Sequence, residues 1–401
     1  MKPIFLHEPS FIGDEIKYLK DCIKSGWVST GGGYVSKLEK KIVDYTGAKY
    51  CVVLNSGTSA LDLSLKAILV KPGDEVIVPT ITFISPVNTI LYNSCSPIFI
   101  DVDDYGNLDV KKVEEFLQKN TIKKNSFTIN KKTKKIIKAI LIVHVFGNVL
   151  DLTKLKKICK KKNIKIIEDA SESFGSFFVS NNNKKFHTGT KGDIGCFSFN
   201  ANKIITSGSG GAIVTNSRNY HKYINYLATQ SKNDPIYFVH NEIGYNMKMS
   251  NLSAAVAYGQ IETLYKIKKA KYSIFNFYKK KLKESNFFKL LEPAKSSHSN
   301  YWINLLSVKS NIDEELLRYI IEFFFKQNIQ VRPVWKPNHT QRHLKNFQKF
   351  KLHNFKKFVC KTICLPSGHN LKKNSLMKVI DTIKMLEKDR YFIKQFKRFK
   401  K

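Results

Sequence analysis

Between residues 49 and 214, short apolar runs alternate with segments whose apolar side chains recur at helical spacing. The short runs are nearly continuous rather than alternately apolar and polar, which is typical of strands covered on both faces. This pattern predicts an α/β fold. We expect strands over residues 50–54, 75–79, 97–101, 136–145 and 164–167, and helices over 57–69, 83–92 and 153–162.

The pattern changes after about residue 255, where a lysine-rich helical segment over 260–280 precedes a mixed α+β segment. We therefore predict a large domain over residues 1–255, which includes an N-terminal arm, and a smaller C-terminal domain over 256–401. Residues 119–135 are polar and lack a clear period, so we expect a solvated loop there. We expect the basic, aromatic-containing tail over 388–401 to be an exposed, frayed helix end.

Charge is the most unusual property of the composition, with 68 basic and 32 acidic residues among 401 and a formal net charge of +36. Such an excess raises the hypothesis of a nucleic-acid-binding protein. However, 62 of the basic residues are lysine, whereas arginine is the usual base-reading and bidentate phosphate-binding residue. Helix-turn-helix, zinc-finger and RNA-binding signatures are also missing, so we expect no specific nucleic-acid partner.

The seven cysteines form neither a CxxC pair nor a Cys/His metal spacing, and several have apolar neighbours. We therefore expect no metal site, and buried thiols in a reducing compartment. The N-terminus has no signal-peptide core, and no uninterrupted apolar run approaches the roughly 20 residues of a membrane span. These features predict a soluble, cytoplasmic protein without a membrane partner.

Three groups of candidate residues follow predicted strands, in the order phosphate turn, carboxylate and lysine. Ser56-Gly57-Thr58-Ser59 lies between a strand and a helix, where backbone N–H groups bind anions. Asp169 ends a strand, and Lys203 lies between an apolar strand and a Gly/Ser-rich turn. A pyridoxal-phosphate (PLP) enzyme needs a phosphate cradle, a carboxylate at the ring nitrogen and a Schiff-base lysine.

Each of these residues also has an ordinary structural interpretation. The turn and Asp169 are typical of helix N-caps, and Lys203 is one lysine among many. Ser198, five residues before Lys203, is a candidate second phosphate ligand. Phe83 is a candidate for stacking on the cofactor ring, although core packing is the commoner role of a phenylalanine.

Taken together, several segments resemble the DegT/StrS family of sugar-nucleotide aminotransferases, and the resemblance extends over essentially the whole chain. The residues of these segments are most similar to the branch that aminates C4 of a UDP-linked 4-keto-6-deoxy-N-acetylglucosamine. That branch belongs to pathways to bacillosamine-type sugars and legionaminic acid. The segments that carry the resemblance are 7–10, 26–30, 49–57, 73–80, 143–147, 168–172, 202–206, 244–250 and 365–367.

The resemblance implies fold type I of the PLP enzymes, which is like aspartate aminotransferase and has a mainly parallel sheet in the PLP-binding large domain. It assigns Lys203 to the Schiff base and Asp169 to the ring nitrogen as catalytic residues. It also implies a homodimer with two shared active sites. The other cofactor-binding residues that it implies are Gly57, Thr58 and Ser59 at the phosphate turn, Phe83 on the ring, Glu172 near the ring hydroxyl, Ser198 at the phosphate, and Asn246 at the phosphate of the neighbouring subunit.

Departures from the family pattern are small. Ala201 and Ser209 replace residues that are usually glycine in this branch, which leaves the chemistry intact. Glu172 stands where many relatives have glutamine, which changes the local charge.

The resemblance further implies ping-pong transfer of an amino group from glutamate to a ketosugar nucleotide. Alternatives stay open within the family, since a 3-aminotransferase or a GDP-perosamine synthase would share these residues. Dehydrase relatives carry histidine in place of the lysine, which counts against that chemistry here. An alternative of another class is a PLP-sensing or basic nucleic-acid-binding regulator.

Overall fold

The computed structural model describes residues 2–234 and 236–399. Three short 3-10 turns, at Val145–Gly147, Asn338–Thr340 and Arg342–Leu344, accompany the α-helices. The helices of the described residues are α1 (Glu15–Ser25), α2 (Gly33–Thr46), α3 (Gly57–Ala67), α4 (Ile84–Tyr92), α5 (Val110–Lys119), α6 (Thr153–Lys162), α7 (Arg218–Ala228), α8 (Asn251–Leu282), α9 (Glu314–Lys326), α10 (Asn354–Val359), α11 (Lys373–Lys388) and α12 (Arg390–Arg398).

The strands form one large sheet and several smaller ones. They are β1 (Tyr50–Leu54), β2 (Glu75–Pro79), β3 (Ser96–Ile100), β4 (Thr121–Lys124), β5 (Phe127–Asn130), β6 (Ile137–Val143), β7 (Lys165–Asp169), β8 (Phe177–Val179), β9 (Lys185–His187), β10 (Ile194–Ser198), β11 (Gly211–Thr215), β12 (Lys232–Asp234), β13 (Val239–His240), β14 (Phe288–Leu290), β15 (Ser297–His298), β16 (Asn304–Val308), β17 (Arg332–Pro333), β18 (Lys349–Phe350) and β19 (Thr362–Leu365).

The large sheet has the strand order β1-β11-β10-β7-β6-β2-β3-β18. Strand β11 runs antiparallel to both of its neighbours, whereas all other strands of this sheet point in the same direction. Parallel neighbours need crossover connections, and α4 between β2 and β3 and α6 between β6 and β7 supply them. The sheet is therefore mainly parallel, as the sequence predicts.

Both faces of this sheet are buried, which explains the continuous apolar runs in the sequence. Along β2, Val76 and Val78 point into a core shared with α3 and α8, while Ile77 points into a core shared with α5 and α6. Alternate side chains of a strand face opposite sides of a sheet, so both sets must be apolar here. Strand recognition from the sequence succeeded for this reason.

A third core lies beyond the large sheet. It covers the antiparallel sheet β14-β16-β19-β17 and includes the C-terminal half of α8 with α9, α11 and α12. Phe392 and Phe396 of α12 are almost fully buried in it. The prediction of an exposed, frayed tail is therefore wrong for the described residues up to 399, because two phenylalanines one helical turn apart face this core.

Residues 119–135 also differ from the prediction, because β4 and β5 pair there as an antiparallel hairpin. Its buried positions are polar, which removed the apolar signal from the sequence. The Asn130 side chain donates hydrogen bonds to Glu75 Oε2 at 2.8 Å and to Gln348 Oε1 at 2.7 Å. The hairpin is thus attached by polar contacts rather than by an apolar stripe.

The division at residue 255 stays a prediction. Helix α8 runs across it, and β18 lies after residue 256 but pairs with β3 of the large sheet. Among the described residues, no helix is long and apolar enough to cross a membrane.

Candidate active site

The parallel strands of the large sheet direct their carboxyl ends to one edge, where ligands bind in open α/β sheets. A cavity of about 550 Å³ lies at this edge. It is lined by residues that follow β1, β2, β6, β7 and β10. Asp169, the last residue of β7, is in register with Val143 of β6 and Cys196 of β10, so it lies centrally between these strands.

Most of the residues that the sequence singles out meet in this cavity. Its lining includes Gly57, Thr58, Phe83, Asp169, Glu172, Ser198 and Lys203. Ser59 and Asn246 are not among the lining residues.

The phosphate turn forms the N-terminus of α3. Ser56 caps this helix by accepting a hydrogen bond from Ser59 N–H at 3.0 Å. The first-turn N–H groups of Gly57 and Thr58 have no intrahelical acceptor, so the helix end can bind an anion. A Cβ atom at Gly57 would lie 2.7 Å from Ser198 Cβ, which requires glycine here. Ser198 is thereby held against the helix end, and its role as a phosphate ligand stays a prediction.

The hydroxyl groups of this turn have different partners. Thr58 Oγ1 donates to Ser85 Oγ at 3.2 Å, and both residues line the cavity. Ser59 Oγ instead donates to Asn55 Oδ1 at 2.6 Å. The Ser59 side chain therefore holds the turn, and in this conformation it does not line the cavity.

Lys203 lies in the turn between β10 and β11, and its side chain is only 13% exposed. Its Nζ lies 3.2 Å from Glu172 Oε1 and 4.4 Å from the centroid of the Trp302 ring. Trp302 in turn donates from Nε1 to the carbonyl of Asn202 at 2.7 Å, which fixes the lysine loop. The lysine is thus directed into the cavity rather than into solvent.

Asp169 is buried, with 4% of its surface exposed. Its Oδ1 accepts a hydrogen bond from Ser171 N–H at 3.0 Å. Burial raises the pKa of the Asp169 carboxyl, and hydrogen bonding from Ser171 and the nearby charge of Lys203 oppose this rise. A protonated ring nitrogen placed against Asp169 would be a charge-assisted partner for this carboxylate.

Glu172 is held at both carboxylate oxygens. Oε2 accepts a hydrogen bond from Phe146 N–H at 2.8 Å, while Oε1 faces Lys203. Burial raises the pKa of Glu172, and the charge of Lys203 counteracts the rise. The ion pair with Lys203 is therefore the main charge compensation of this carboxylate inside the cavity.

Asp169 is flanked by His144, which follows the neighbouring strand β6, and by Glu168, which precedes it in β7. His144 donates from Nε2 to Glu168 Oε2 at 2.9 Å, and its Nδ1 accepts Leu150 N–H at 3.1 Å. The backbone N–H of His144 donates to the carbonyl of Asp169 at 3.0 Å. Burial alone would raise the pKa of Glu168, but hydrogen bonding and charge from His144 lower it.

An aromatic wall was missed by the sequence analysis. Phe146 and Trp335 stack at 4.5 Å between ring centroids, and Phe146 also stacks on Trp302 at 6.3 Å. Phe83 contacts Trp335 edge-on and is 54% exposed, so one face of its ring is accessible. Two of the three tryptophans of the chain line the cavity, a signal that composition alone could have supplied.

His7 and Arg332 also line the cavity without having been identified from the sequence. They come from the N-terminal arm and from β17, which are far from the strand–turn motifs along the chain. Only the three-dimensional structure brings these segments to the edge of the large sheet.

Asn246 lies outside the cavity of its own chain. It is exposed, and its carbonyl accepts a hydrogen bond from Asn55 Nδ2 at 3.4 Å. The assignment of Asn246 to a neighbouring subunit's cofactor therefore stays a prediction.

The arrangement could hold a planar ring that carries a phosphate group. The helix end at Gly57 and Ser198 suits the phosphate, Asp169 suits a ring N–H, and Phe83 offers an accessible aromatic face. Lys203 is the amine of this site. These are the groups that PLP requires.

Comparisons with known proteins give a consistent result. The family model described as the DegT/DnrJ/EryC1/StrS aminotransferase family matches residues 9–384. GDP-perosamine synthase of Vibrio cholerae is 35% identical over 383 residues, which cover 94% of this chain and 98% of that protein. UDP-4-amino-4,6-dideoxy-N-acetyl-beta-L-altrosamine transaminase of Campylobacter jejuni is 29% identical over 384 residues, with 93% of each chain covered.

Among solved structures, the PLP form of Spr1654 from Streptococcus pneumoniae aligns with a TM-score of 0.84 at 22% identity. The alignment covers 96% of this chain and 99% of that chain. At this level of identity the similarity concerns the fold, and it confirms the expected fold type I architecture.

Proposed function

Because the chain belongs to the DegT/DnrJ/EryC1/StrS aminotransferase family, we propose that it uses PLP to transfer an amino group from glutamate to a sugar nucleotide. The acceptor that we propose is the C4 ketone of a UDP-linked 4-keto-6-deoxy-N-acetylhexosamine. The observation that carries the proposal is Lys203, whose amine enters a cavity shared with the buried Asp169 and the helix end at Gly57.

The cofactor would be held by the residues already described. The N-terminus of α3 and Ser198 would bind its phosphate, Asp169 its ring nitrogen, Phe83 its ring face, and Glu172 would lie near its ring hydroxyl. When bound, PLP supplies a carbonyl carbon for amine attachment and a ring that withdraws electrons from it.

Lys203 would act as the covalent attachment point and as the base that moves the proton in both halves of the reaction. Glu172 would hold the lysine amine toward the reacting carbon through the ion pair at 3.2 Å. Asp169 would keep the ring nitrogen protonated, since a buried carboxylate is a strong partner for a charged N–H donor. The aromatic wall of Phe146, Trp302 and Trp335 would limit the access of water.

We propose this sugar because the residues of segments such as 26–30 and 168–172 resemble those of the UDP-sugar branch. The relatives leave other acceptors open, since one is a GDP-perosamine synthase and another an altrosamine transaminase. A GDP-linked sugar, or a C3 ketone presented by a rotated hexose, is therefore the alternative within the same chemistry.

We also propose a homodimer with shared sites in the cytoplasm. Large apolar side chains are exposed over residues 236–243, just before Asn246, and a partner surface would cover them. The exposed members of this segment are Ile236, Tyr237, Phe238, Val239 and Ile243.

The proposal is tested by incubating the PLP-loaded protein with glutamate and a panel of UDP-, GDP- and dTDP-linked 3-keto and 4-keto sugars. Mass spectrometry would detect replacement of the ketone oxygen by an amine, and NMR would locate the amine on the sugar ring. We expect amination at C4 of the UDP-linked N-acetyl sugar, and none with Lys203→Ala. Preferred turnover of a GDP-linked or 3-keto sugar would contradict the substrate, and no amination of any sugar would contradict the function.

A further inference from the structure

The N-terminal arm enters the active-site cavity at His7, and its backbone is fixed on two sides. Leu6 N–H donates to Gln330 Oε1 at 3.0 Å, and Leu6 C=O accepts from Ser367 N–H at 2.8 Å. Two residues earlier, Ile4 forms a parallel bridge with Ile329. The position of His7 is therefore determined by the fold rather than by a free chain end.

His7 lines the same cavity as Lys203. Both ring nitrogens are buried, yet neither has a hydrogen-bond partner among residues 2–234 and 236–399. The hydroxyl of Thr82, which also lines the cavity, is in the same situation. Buried polar atoms in folded proteins are nearly always hydrogen-bonded, so these groups point to a partner that enters the cavity.

The surroundings of His7 favour the neutral ring. Burial lowers its pKa well below the ordinary value, and the nearby Lys271, His369 and Lys203 act in the same direction. A neutral imidazole offers one N–H donor and one acceptor nitrogen. Its best single partner is therefore a group that can both donate and accept.

The two substrates of the proposed reaction differ in this property. The carboxylates of glutamate only accept hydrogen bonds, whereas each hydroxyl of a sugar both donates and accepts. Arg332 also lines the cavity, and a guanidinium is the better partner for a carboxylate or a phosphate. His7 and Lys203 line the same cavity, so a partner of His7 would share that cavity with the reacting amine.

We propose that His7 binds a hydroxyl group of the acceptor sugar beside the reacting carbon, and so contributes to acceptor recognition. This inference rests on the proposed function. It makes His7 a residue of the second half-reaction, in which the sugar receives the amine, and not of the first, in which glutamate donates it.

The test measures the two half-reactions separately in PLP-loaded protein, by stopped-flow absorbance. His7→Phe keeps an aromatic ring of similar size and removes both hydrogen-bonding groups. The matched control is His343→Phe, since His343 is exposed and does not line the cavity. For His7→Phe we expect kcat/KM for the sugar half-reaction to fall roughly 10- to 100-fold, with the glutamate half-reaction within about threefold.

A second measurement does not depend on the folding of that variant. Sugar substrates that lack one hydroxyl next to the ketone should bind the unsubstituted protein more weakly and react more slowly. His7→Gln keeps a hydrogen-bond donor and an acceptor, so it should recover part of the kcat/KM that His7→Phe loses. Calorimetric affinity for the aminated nucleotide sugar should follow the same order. The inference would be overturned if kcat/KM fell equally in both half-reactions, or only in the glutamate half-reaction. It would also be overturned if neither His7 substitution nor removal of a sugar hydroxyl had an effect. If the unsubstituted protein aminates no sugar, the proposed function fails first, and this inference fails with it.

Discussion

At the scale of single residues, Lys203, Asp169 and Glu172 differ in what their surroundings supply. Lys203 has a carboxylate and an aromatic ring as neighbours, and Glu172 is bonded at both oxygens. Asp169 accepts hydrogen bonding from Ser171, has no ion pair among the described residues and lines the cavity. This difference makes Asp169 the carboxylate that is available to a ligand.

Asp169→Asn should therefore retain the cofactor and lose turnover. The phosphate cradle is unchanged, but an amide cannot keep a ring nitrogen protonated as a carboxylate does. We expect kcat to fall roughly a hundredfold or more. Absorbance titration with PLP and steady-state transamination measure the two effects.

The matched control is Asp151→Asn. Asp151 is exposed and accepts Thr153 N–H before α6, so its substitution should leave turnover unchanged. Turnover of Asp169→Asn equal to that of the unsubstituted protein would assign protonation of the ring to another group.

At the residue scale, the sequence identified candidate side chains that end or closely follow a recognisable strand, and their roles stay predictions. Gly57, Asp169 and Ser198 are of this kind, and all line the cavity. His7 and Trp335 could not be found in this way, because their segments reach the site only through tertiary packing. Ser59 was placed correctly along the chain, but its hydroxyl is bonded to Asn55.

At the scale of elements, the start of α3 depends on close approach to β10. Gly57→Ala would place a Cβ atom 2.7 Å from Ser198 Cβ, and one of the two segments would have to move. We expect the dissociation constant for PLP to rise roughly tenfold or more, because both segments belong to the phosphate cradle. Fluorescence titration would measure this change.

Gly33→Ala is the matched control, since Gly33 is the first residue of α2 and a Cβ there meets no atom within 4 Å. It should leave PLP affinity unchanged. Equal affinities for the two variants would show that the end of α3 does not hold the cofactor.

The β8–β9 hairpin contains a buried histidine that should make stability depend on pH. His187 Nε2 accepts Gly175 N–H at 2.7 Å, and Nδ1 donates to the carbonyl of Thr188. Burial lowers the pKa of His187 to about 3, compared with an unfolded value of about 6.5. The unfolded chain therefore binds the proton first, and folding stability falls as pH decreases below about 6.5.

The contribution of His187 to this loss should approach about 1.4 kcal/mol per pH unit between the two pKa values. Urea unfolding of the protein and of His187→Gln from pH 7 to pH 4.5 measures it. The variant should be less stable at pH 7 but should lose stability less steeply on acidification. Parallel curves for the two proteins would contradict a neutral, buried His187.

Elements with apolar contacts on their buried faces could be predicted from the sequence, whereas elements with polar or few apolar contacts could not. Strands β1 and β2 and helix α6 have the predicted bounds, because both faces of the sheet are covered by apolar side chains. The hairpin β4–β5 was missed because its buried positions are polar, such as Asn130. The burial of helix α12 was missed because its buried side chains are only two phenylalanines among basic residues.

At the scale of the whole molecule, two observations concern surfaces outside the cavity. Asn246 does not line the cavity of its own chain, and the apolar side chains of residues 236–243 are exposed. Shared sites between two subunits would account for both observations, and a closed symmetric dimer is the natural assembly for them. Sequence pattern alone could not establish this, because it contains no information on the contacts between subunits.

Hybrid dimers test the shared site directly. Lys203→Ala and Asn246→Ala chains should each have low activity, the second through weaker PLP retention. A mixture refolded together should regain up to about a quarter of full activity, because half of random dimers are hybrids and each hybrid has one intact site. Hybrids purified through two different affinity tags should show about half of full activity, because every purified dimer has one intact site.

Asn182→Ala serves as the control, since Asn182 is exposed in a turn and should not affect activity. Absence of rescue in purified hybrids, or sedimentation of an active monomer, would contradict shared sites.

The central claim is that Lys203, at the carboxyl edge of the large sheet, is the residue to which the cofactor becomes attached. Borohydride reduction of the PLP-loaded protein, followed by proteolysis and mass spectrometry, tests it most directly. The account predicts one phosphopyridoxyl group per chain, on Lys203, and its disappearance in Lys203→Ala. A modified peptide that contains another of the 62 lysines and leaves Lys203 free would contradict the account.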